Sequence, residues 1–341
     1  MAVPVLSSIS PSQGPSSGGT TVTLIGTGFT GVTAVRFGSL AATSFTPAGS
    51  TQIIAVAPPG ASTVTVTVTT GEGTTTQPVT YTYVGAPTVT ALTPVQGLVS
   101  GGTVVTVTGT NLSGATAVRF DTTAAASFTV NSATQITAVT PARSAGAAPV
   151  TVTTAGGTSN PDNPAAYFYY APPPSVTDVA PSSGTTAGGT TVTLSGSGFL
   201  NATTVRFDTT AAGSFTVNSA TQITAVTPVR SAGAAPVTVI TPGGVSNPGS
   251  YLYLAAPTLT ALTPGQGPTY AGRVITLTGT GLTTTIGVQF GTAPAAFTVL
   301  SPTQITALVP AGSAGTVTVT VTTTAGVSNG LTYTRITGPA I

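Results

Sequence analysis

Four residue types are missing from the 341-residue chain: cysteine, histidine, lysine and tryptophan. Each absence excludes something. Without cysteine there is no disulfide and no thiolate metal site, so every core must hold itself together unaided. Without histidine the usual general base, metal ligand and near-neutral pH switch are gone. Without lysine there is no Schiff-base chemistry and no crosslink that needs an ε-amine. Methionine occurs only as Met1.

Charge is nearly as scarce. Only 4% of residues are charged, the seven basic residues are all arginine, and the acids are Glu72, Asp121, Asp162, Asp178 and Asp208. A soluble monomer usually carries roughly 25–35% charged residues on its surface. Threonine, serine, alanine and glycine are left to face water. Such a surface offers little repulsion between copies, which points to self-association or to packing with other subunits of an assembly. The arginines fall one or two to a repeat. Nucleic-acid binding needs them clustered to displace counterions, so no nucleic-acid partner is expected.

The carboxylates are as scattered as the arginines, and nothing supplies an activated nucleophile or a tuned acid–base pair. The chain therefore reads as a non-enzyme with no cofactor and no metal. Asp121 and Asp208, each following Val-Arg-Phe, are expected to cap turns. A Ca²⁺ site would need roughly six to eight oxygens, several of them from carboxylates.

Residues 1–17 hold neither a charged n-region nor an apolar core of signal-peptide type. No run approaches the ~18 apolar residues of a membrane span, so membrane insertion is not expected. The expected location is extracellular, on a cell surface or on a virion, with no signal peptide or anchor visible in this chain.

What is present is repetition. The stretch from Val176 to Phe207 recurs, with variations, four times. Prolines mark its start at Pro11, Pro94, Pro181 and Pro264, spaced 83, 87 and 83 residues apart. A small-residue pair follows each: Gly18-Gly19, Gly101-Gly102, Gly188-Gly189 and Ala271-Gly272. Such self-similarity means an array of one structural unit. The spacing gives units 1–85, 86–172, 173–255 and 256–341, each large enough for a small core.

Inside each unit, short runs of valine, threonine, leucine, isoleucine and phenylalanine alternate with turn residues, and no 3.6-residue periodicity persists. The fold class is all-β. In the first unit, Val5 to Pro11 reads as an edge strand, Ser12 to Gly19 as a loop and Thr20 to Ile25 as a strand with Val22 and Leu24 inward. Gly26-Thr27-Gly28 reads as a turn, Val35 to Phe37, Ala41 to Phe45 and Gln52 to Val56 as strands, and Thr63 to Thr69 as the strongest strand. Val79 to Val84 closes the unit with Tyr81 and Tyr83 on one face. About seven strands with frequent turns suggest an immunoglobulin-like sandwich, here without the Cys…Trp…Cys core of antibody domains.

Arg119 to Val152 matches Arg206 to Val239 at an offset of 87, differing only at Ala126/Gly213 and Ala142/Val229, which implies recent duplication. The fourth unit is the most divergent. It has Gln289 where the others have Arg36, Arg119 and Arg206, and Arg335 where they have a second tyrosine. The linkers Gly85-Ala86, Ala171-Pro172-Pro173 and Ala255-Ala256 are too short for random coil. Four sandwiches in line would make an elongated rod of roughly 150 Å, which small-angle scattering can test.

The pattern P-x-x-G-x-x-x-G-G-T-x-V-x-L-x-G-x-G-F is carried best by Pro181, Gly184, Gly188, Gly189, Thr190, Val192, Leu194, Gly196, Gly198 and Phe199. Val205, Phe207 and Thr221-Gln222-Ile223 continue it. This pattern resembles the IPT/TIG family of immunoglobulin-like domains, over essentially the whole chain. The second unit departs with Asn111 in place of the second turn glycine, a residue that also tolerates positive φ. The resemblance implies the fold more than a function. Its members serve as receptor ectodomain segments, dimerisation domains beside DNA-binding modules, accessory domains of polysaccharide enzymes and bacterial surface arrays. The residue style looks bacterial or phage-like.

Two sets of side chains are candidates for an interaction surface. Tyr167-Phe168-Tyr169-Tyr170 forms an aromatic cluster in which alternation puts Tyr167 and Tyr169 on one face and Phe168 and Tyr170 on the other. These rings suit a closing strand and interdomain packing, or alternatively stacking against sugar rings. Arg36, Arg119 and Arg206 are expected outward on a strand. The function expected first is a non-catalytic structural protein of an extracellular or virion-associated assembly, a surface filament, fibre or decoration built by self-association. The alternative is an adhesin or spacer that binds a glycan or a host receptor through loops or exposed tyrosines.

Overall fold

The computed structural model describes residues 3–337. Strands form where apolar side chains alternate with threonine, because a strand sends successive side chains to opposite faces. The first repeat contains β1 (Val5–Ser10), β2 (Gln13–Pro15), β3 (Thr21–Thr27), β4 (Ala34–Phe37), β5 (Leu40–Ala41), β6 (Ser44–Pro47), β7 (Gln52–Val56), β8 (Thr63–Thr70), β9 (Gly73–Thr74) and β10 (Thr80–Val84). One sheet has the order β1-β3-β7-β6 and the other β2-β10-β8-β4-β5, with β9 paired to β8. All ladders are antiparallel except that of β2 on β10. The same pair of sheets recurs in each of the other three repeats.

Each pair of sheets encloses its own core. In the first, Leu6, Val22, Leu24, Ile53, Val66, Val68 and Tyr81 are fully buried. Burial of each such side chain stabilises the sandwich by about 1.5–3 kcal/mol. Phe37 meets Tyr81 edge-on at 5.1 Å, and the same aromatic contact recurs as Phe120–Phe168, Phe207–Tyr251 and Phe290–Tyr333. The outward threonines pair across strands, as Thr63 does with Thr82 at 3.0 Å and Thr69 with Thr74 at 2.9 Å.

Three details differ from the sequence reading. The stretch Ser12 to Gly19 contains β2, because its backbone groups find partners beside β10. Ala41 to Phe45 is not one strand. β5 belongs to the sheet of β4 and β6 to that of β7, so the chain crosses between sheets at Ala42–Thr43. Gly26 and Thr27 continue β3, and the turn begins only at Gly28 (φ 73°).

The landmark prolines Pro11, Pro94, Pro181 and Pro264 all follow cis peptide bonds. In the first three repeats the first glycine of the pair that follows has a steric reason. Gly18 has φ 74°, and a Cβ there would come within 2.5 Å of the Pro58 carbonyl carbon. Gly101 and Gly188 are equally confined.

The chain divides into two compact units, Met1–Pro172 and Pro173–Ile341, each holding two sandwiches. Within the first, the linker is packed: Asn111 takes φ 55° and its Nδ2 donates to the Ala86 carbonyl at 3.0 Å. Within the second, Ala256 lies against Gly326.

Candidate functional site

The aromatic run of the second sandwich lies on the strand Tyr167–Ala171, which pairs antiparallel with Gly146–Thr154 and parallel with Gln96–Leu98. Its alternation is as the sequence suggests. Phe168 and Tyr170 are buried, Tyr169 is 50% exposed, and Tyr167 is intermediate. Tyr170 is thus withdrawn from the candidate surface. It packs edge-on to Phe168 at 5.0 Å and to Phe120 at 6.3 Å, closing the end of the core. Tyr83 and Tyr253 occupy the same position in their sandwiches, each opposite the glycine at the middle of the short parallel strand. Of this run, Tyr167 and Tyr169 stay available to a partner.

Arg36, Arg119 and Arg206 are exposed, each between an inward valine and an inward phenylalanine. The guanidinium of Arg36 donates to the Ser39 carbonyl at 2.9 Å and that of Arg119 to the Thr122 carbonyl at 2.8 Å. In these two, the cation ties down its own hairpin turn.

Sequence reasoning missed the ion pairs. Arg143 Nη2 bonds Asp121 Oδ2 at 2.5 Å, and Arg230 Nη2 bonds Asp208 Oδ2 at 2.7 Å. Asp121 and Asp208 do hold turns, with φ of 57° and 59° and N–H groups donating to the Pro149 and Pro236 carbonyls. A signal for the pairs was present. Where the first and fourth repeats lack the arginine, the aspartate is also absent and Gly38 or Gly291 takes the turn. Arg230 also lies 5.9 Å from the centre of the Tyr253 ring.

The remaining titratable feature of these core ends is tyrosine. Burial pushes the hydroxyls of Tyr81, Tyr83, Tyr170, Tyr253 and Tyr333 above the usual tyrosine value. Nearby arginines oppose the push at Tyr170, Tyr253 and Tyr333, and facing threonine hydroxyls oppose it at Tyr81, Tyr170 and Tyr253. None of these five hydroxyls, nor that of Tyr251, makes a well-formed hydrogen bond among the described residues. They are core rings whose polar tip is tolerated, not acids poised for proton transfer. Among the described residues no group of three or more acidic, histidine or cysteine side chains gathers to hold a metal ion. Among the described residues no helix is long and apolar enough to cross a membrane.

The IPT/TIG domain model matches residues 4–83, 87–167, 174–253 and 257–335. The chain belongs to the IPT/TIG family. Its TIG repeats tile nearly all of the sequence, and each match falls on one pair of sheets with its own core. No curated protein matches the sequence. Among solved structures, the chain is similar to the full extracellular region of plexin A4, with 22% identity and a TM-score of 0.36 over 97% of this chain and 30% of that one. It spans less than half the length of a second plexin A4 structure as well. Invasin, a bacterial integrin-binding protein, aligns at 19% identity and a TM-score of 0.32 over 98% of this chain and 79% of its own. The Escherichia coli adhesin FdeC aligns at 18% identity and a TM-score of 0.28, over 73% of this chain and 96% of its own.

Proposed function

We propose that this TIG array is a non-catalytic protein of the cell exterior whose sandwiches present binding faces to a glycan or a surface partner. One observation carries the reading. Each sandwich closes its own core, and its described surface carries threonine hydroxyls, turn-tied arginines, scattered aliphatic side chains such as Ile54 and Val104, and the exposed rings of Tyr169 and Tyr270. Tyr169 and Tyr270 are 50% and 71% exposed. The Tyr169 ring, held on a strand, has little freedom to lose on binding, and its face suits the C–H face of a sugar. The test is binding of the intact chain to a panel of neutral and acidic polysaccharides. Binding that Tyr169→Ala weakens several-fold, with an unchanged melting temperature, supports the reading. No binding to any polymer or to intact source cells would sink it.

A second reading, self-association, has its own observation. Val274 and Leu308 face each other across strands on the outer side of the four-stranded sheet in the fourth sandwich, 56% and 44% exposed. With Phe297 and Thr298 they line an open cleft of about 260 Å³. A second copy would bury this face. Sedimentation should then show a dimer that Val274→Thr with Leu308→Thr dissociates. A monomer at high concentration in the unchanged protein excludes this contact.

A further inference from the structure

Three substitutions set the fourth sandwich apart, and the fold gathers them at one end. Tyr270 stands where the other repeats have Ser17, Ser100 and Ala187. Arg273 replaces Thr20, Thr103 and Thr190, and Arg335 replaces Tyr83, Tyr170 and Tyr253. Register fixes the last of these, since Arg335 pairs with Gly267 as Tyr83 pairs with Gly14. The first glycine of the small-residue pair is Ala271 here, and the tight left-handed turn of Gly18, Gly101 and Gly188 is lost with it. The loop that carries Tyr270 and Arg273 is therefore built differently from its three counterparts.

Arg335 is only 8% exposed. Its guanidinium lies on Gly312, where a Cβ would come within 2.4 Å of Nη1. Its Nη2 donates to the Pro310 carbonyl at 3.2 Å, and its Nε is buried without a partner among the described residues. The Gly312 N–H donates to the Thr269 carbonyl at 2.9 Å, which ties the turn over Arg335 to the loop of Tyr270 and Arg273. Arg273 passes beside the Tyr333 hydroxyl at Gly267. Burial raises the Tyr333 pKa, and both arginines pull the other way, as neighbours of that hydroxyl must. Tyr270, Arg273, Gln266 and Ile336 line a cleft of about 340 Å³, the scale of a sugar ring or two.

Charge is placed the same way. Arg36 is matched by Glu72 in the first repeat, Arg119 and Arg143 by Asp121 and Asp162 in the second, and Arg206 and Arg230 by Asp178 and Asp208 in the third. The fourth repeat has Arg273 and Arg335 and no acid, so the chain's net charge of +2 belongs to it alone. The aspartate that pairs with Arg143 and Arg230 is Gly291 here. A buried guanidinium with no carboxylate is costly, and an anion from outside relieves the cost.

We propose that this end of the fourth TIG sandwich binds the carboxylate or sulfate group of an acidic glycan. Arg273 contacts the anionic group, Arg335 supplies positive potential from behind it, and Tyr270 offers its ring to the sugar face while Gln266 meets a hydroxyl. A planar guanidinium matches a carboxylate or sulfate with paired hydrogen bonds. The exposed ring beside it favours a sugar over an extended acidic peptide, and two arginines are too few for nucleic acid. This inference rests on the surface-binding reading above and names the ligand class of one site.

The test uses the intact chain at about 50 mM salt against polygalacturonate, dextran sulfate, uncharged dextran and poly-glutamate. Arg273→Thr, Tyr270→Ser and Arg335→Tyr each restore the residue that another repeat carries, so each should fold; their melting curves verify it. The expected result is binding to polygalacturonate or dextran sulfate but not to dextran, weakened about tenfold or more by Arg273→Thr and unaffected by Arg143→Gln, which removes the same charge from the second sandwich. Which of the two polymers binds separates the carboxylate from the sulfate source. Equal binding to poly-glutamate, an equal loss from Arg143→Gln, or no preference over dextran would overturn it. A neutral polysaccharide that still binds, with Tyr169 needed and Arg273 not, would overturn this site and leave the broader reading standing.

Discussion

Tyr251 and Phe168 occupy one and the same place in their sandwiches, opposite Phe207 and Phe120. The hydroxyl that distinguishes them makes no hydrogen bond, so its removal should be nearly neutral. We expect Tyr251→Phe to change unfolding free energy by less than about 0.5 kcal/mol. Tyr251→Ala should lose about 3–5 kcal/mol, because the ring is fully buried. Urea titrations of both variants check this. Gly18→Ala should cost at least about 1–3 kcal/mol, from its positive φ and its approach to Pro58. The alternation of Tyr167 to Tyr170 was legible in the sequence, but not which face was the core. Phe168 and Tyr170 won the inside because they meet Phe120 there. The ion pairs of Asp121 and Asp208 were harder to read, because the partners are 22 residues apart and approach only when the loops at one end of the sandwich fold together.

At the scale of elements, β3 and β8 are central in their sheets, and β5 and β6 are edges. Hydrogen exchange should therefore be slowest in Thr21–Thr27 and Thr63–Thr70 and fastest in Leu40–Ala41. Uniform protection across the sandwich would show that the strand order is wrong. The strong strands were legible because threonine and valine alternate strictly in them. The short ones were not. β2 is three residues with a glycine at its centre, and it is a strand only because β10 lies beside it. The split of Ala41 to Phe45 between two sheets is likewise a tertiary event that no local pattern records. The altered loop of the fourth sandwich belongs to the same class: Tyr270, Arg273 and Arg335 look unrelated until strand pairing places them at one end.

For the whole molecule, the titration behaviour follows from composition. There is no histidine, and the groups with resolved shifts are all tyrosines raised by burial. A raised folded pKa contributes nothing below the unfolded value near 10, where both states hold the proton. As pH rises past about 10 the unfolded chain releases its protons first, and stability is lost up to the folded pKa values. The melting temperature should be flat between about pH 5 and 8 and fall steeply above about 10, together with the phenolate absorbance. A step near neutrality would reveal a coupled group elsewhere. The fold class and the four repeats were legible at this scale, since the proline landmarks and alternating runs recur four times.

Whether the chain does its work outside the cell is decided by antibody labelling of intact source cells or particles beside permeabilised ones. Labelling of the intact sample, removed by added protease, is the expected result. Signal that appears only after permeabilisation would place the protein where no exterior partner can reach it, and would contradict a role in surface binding.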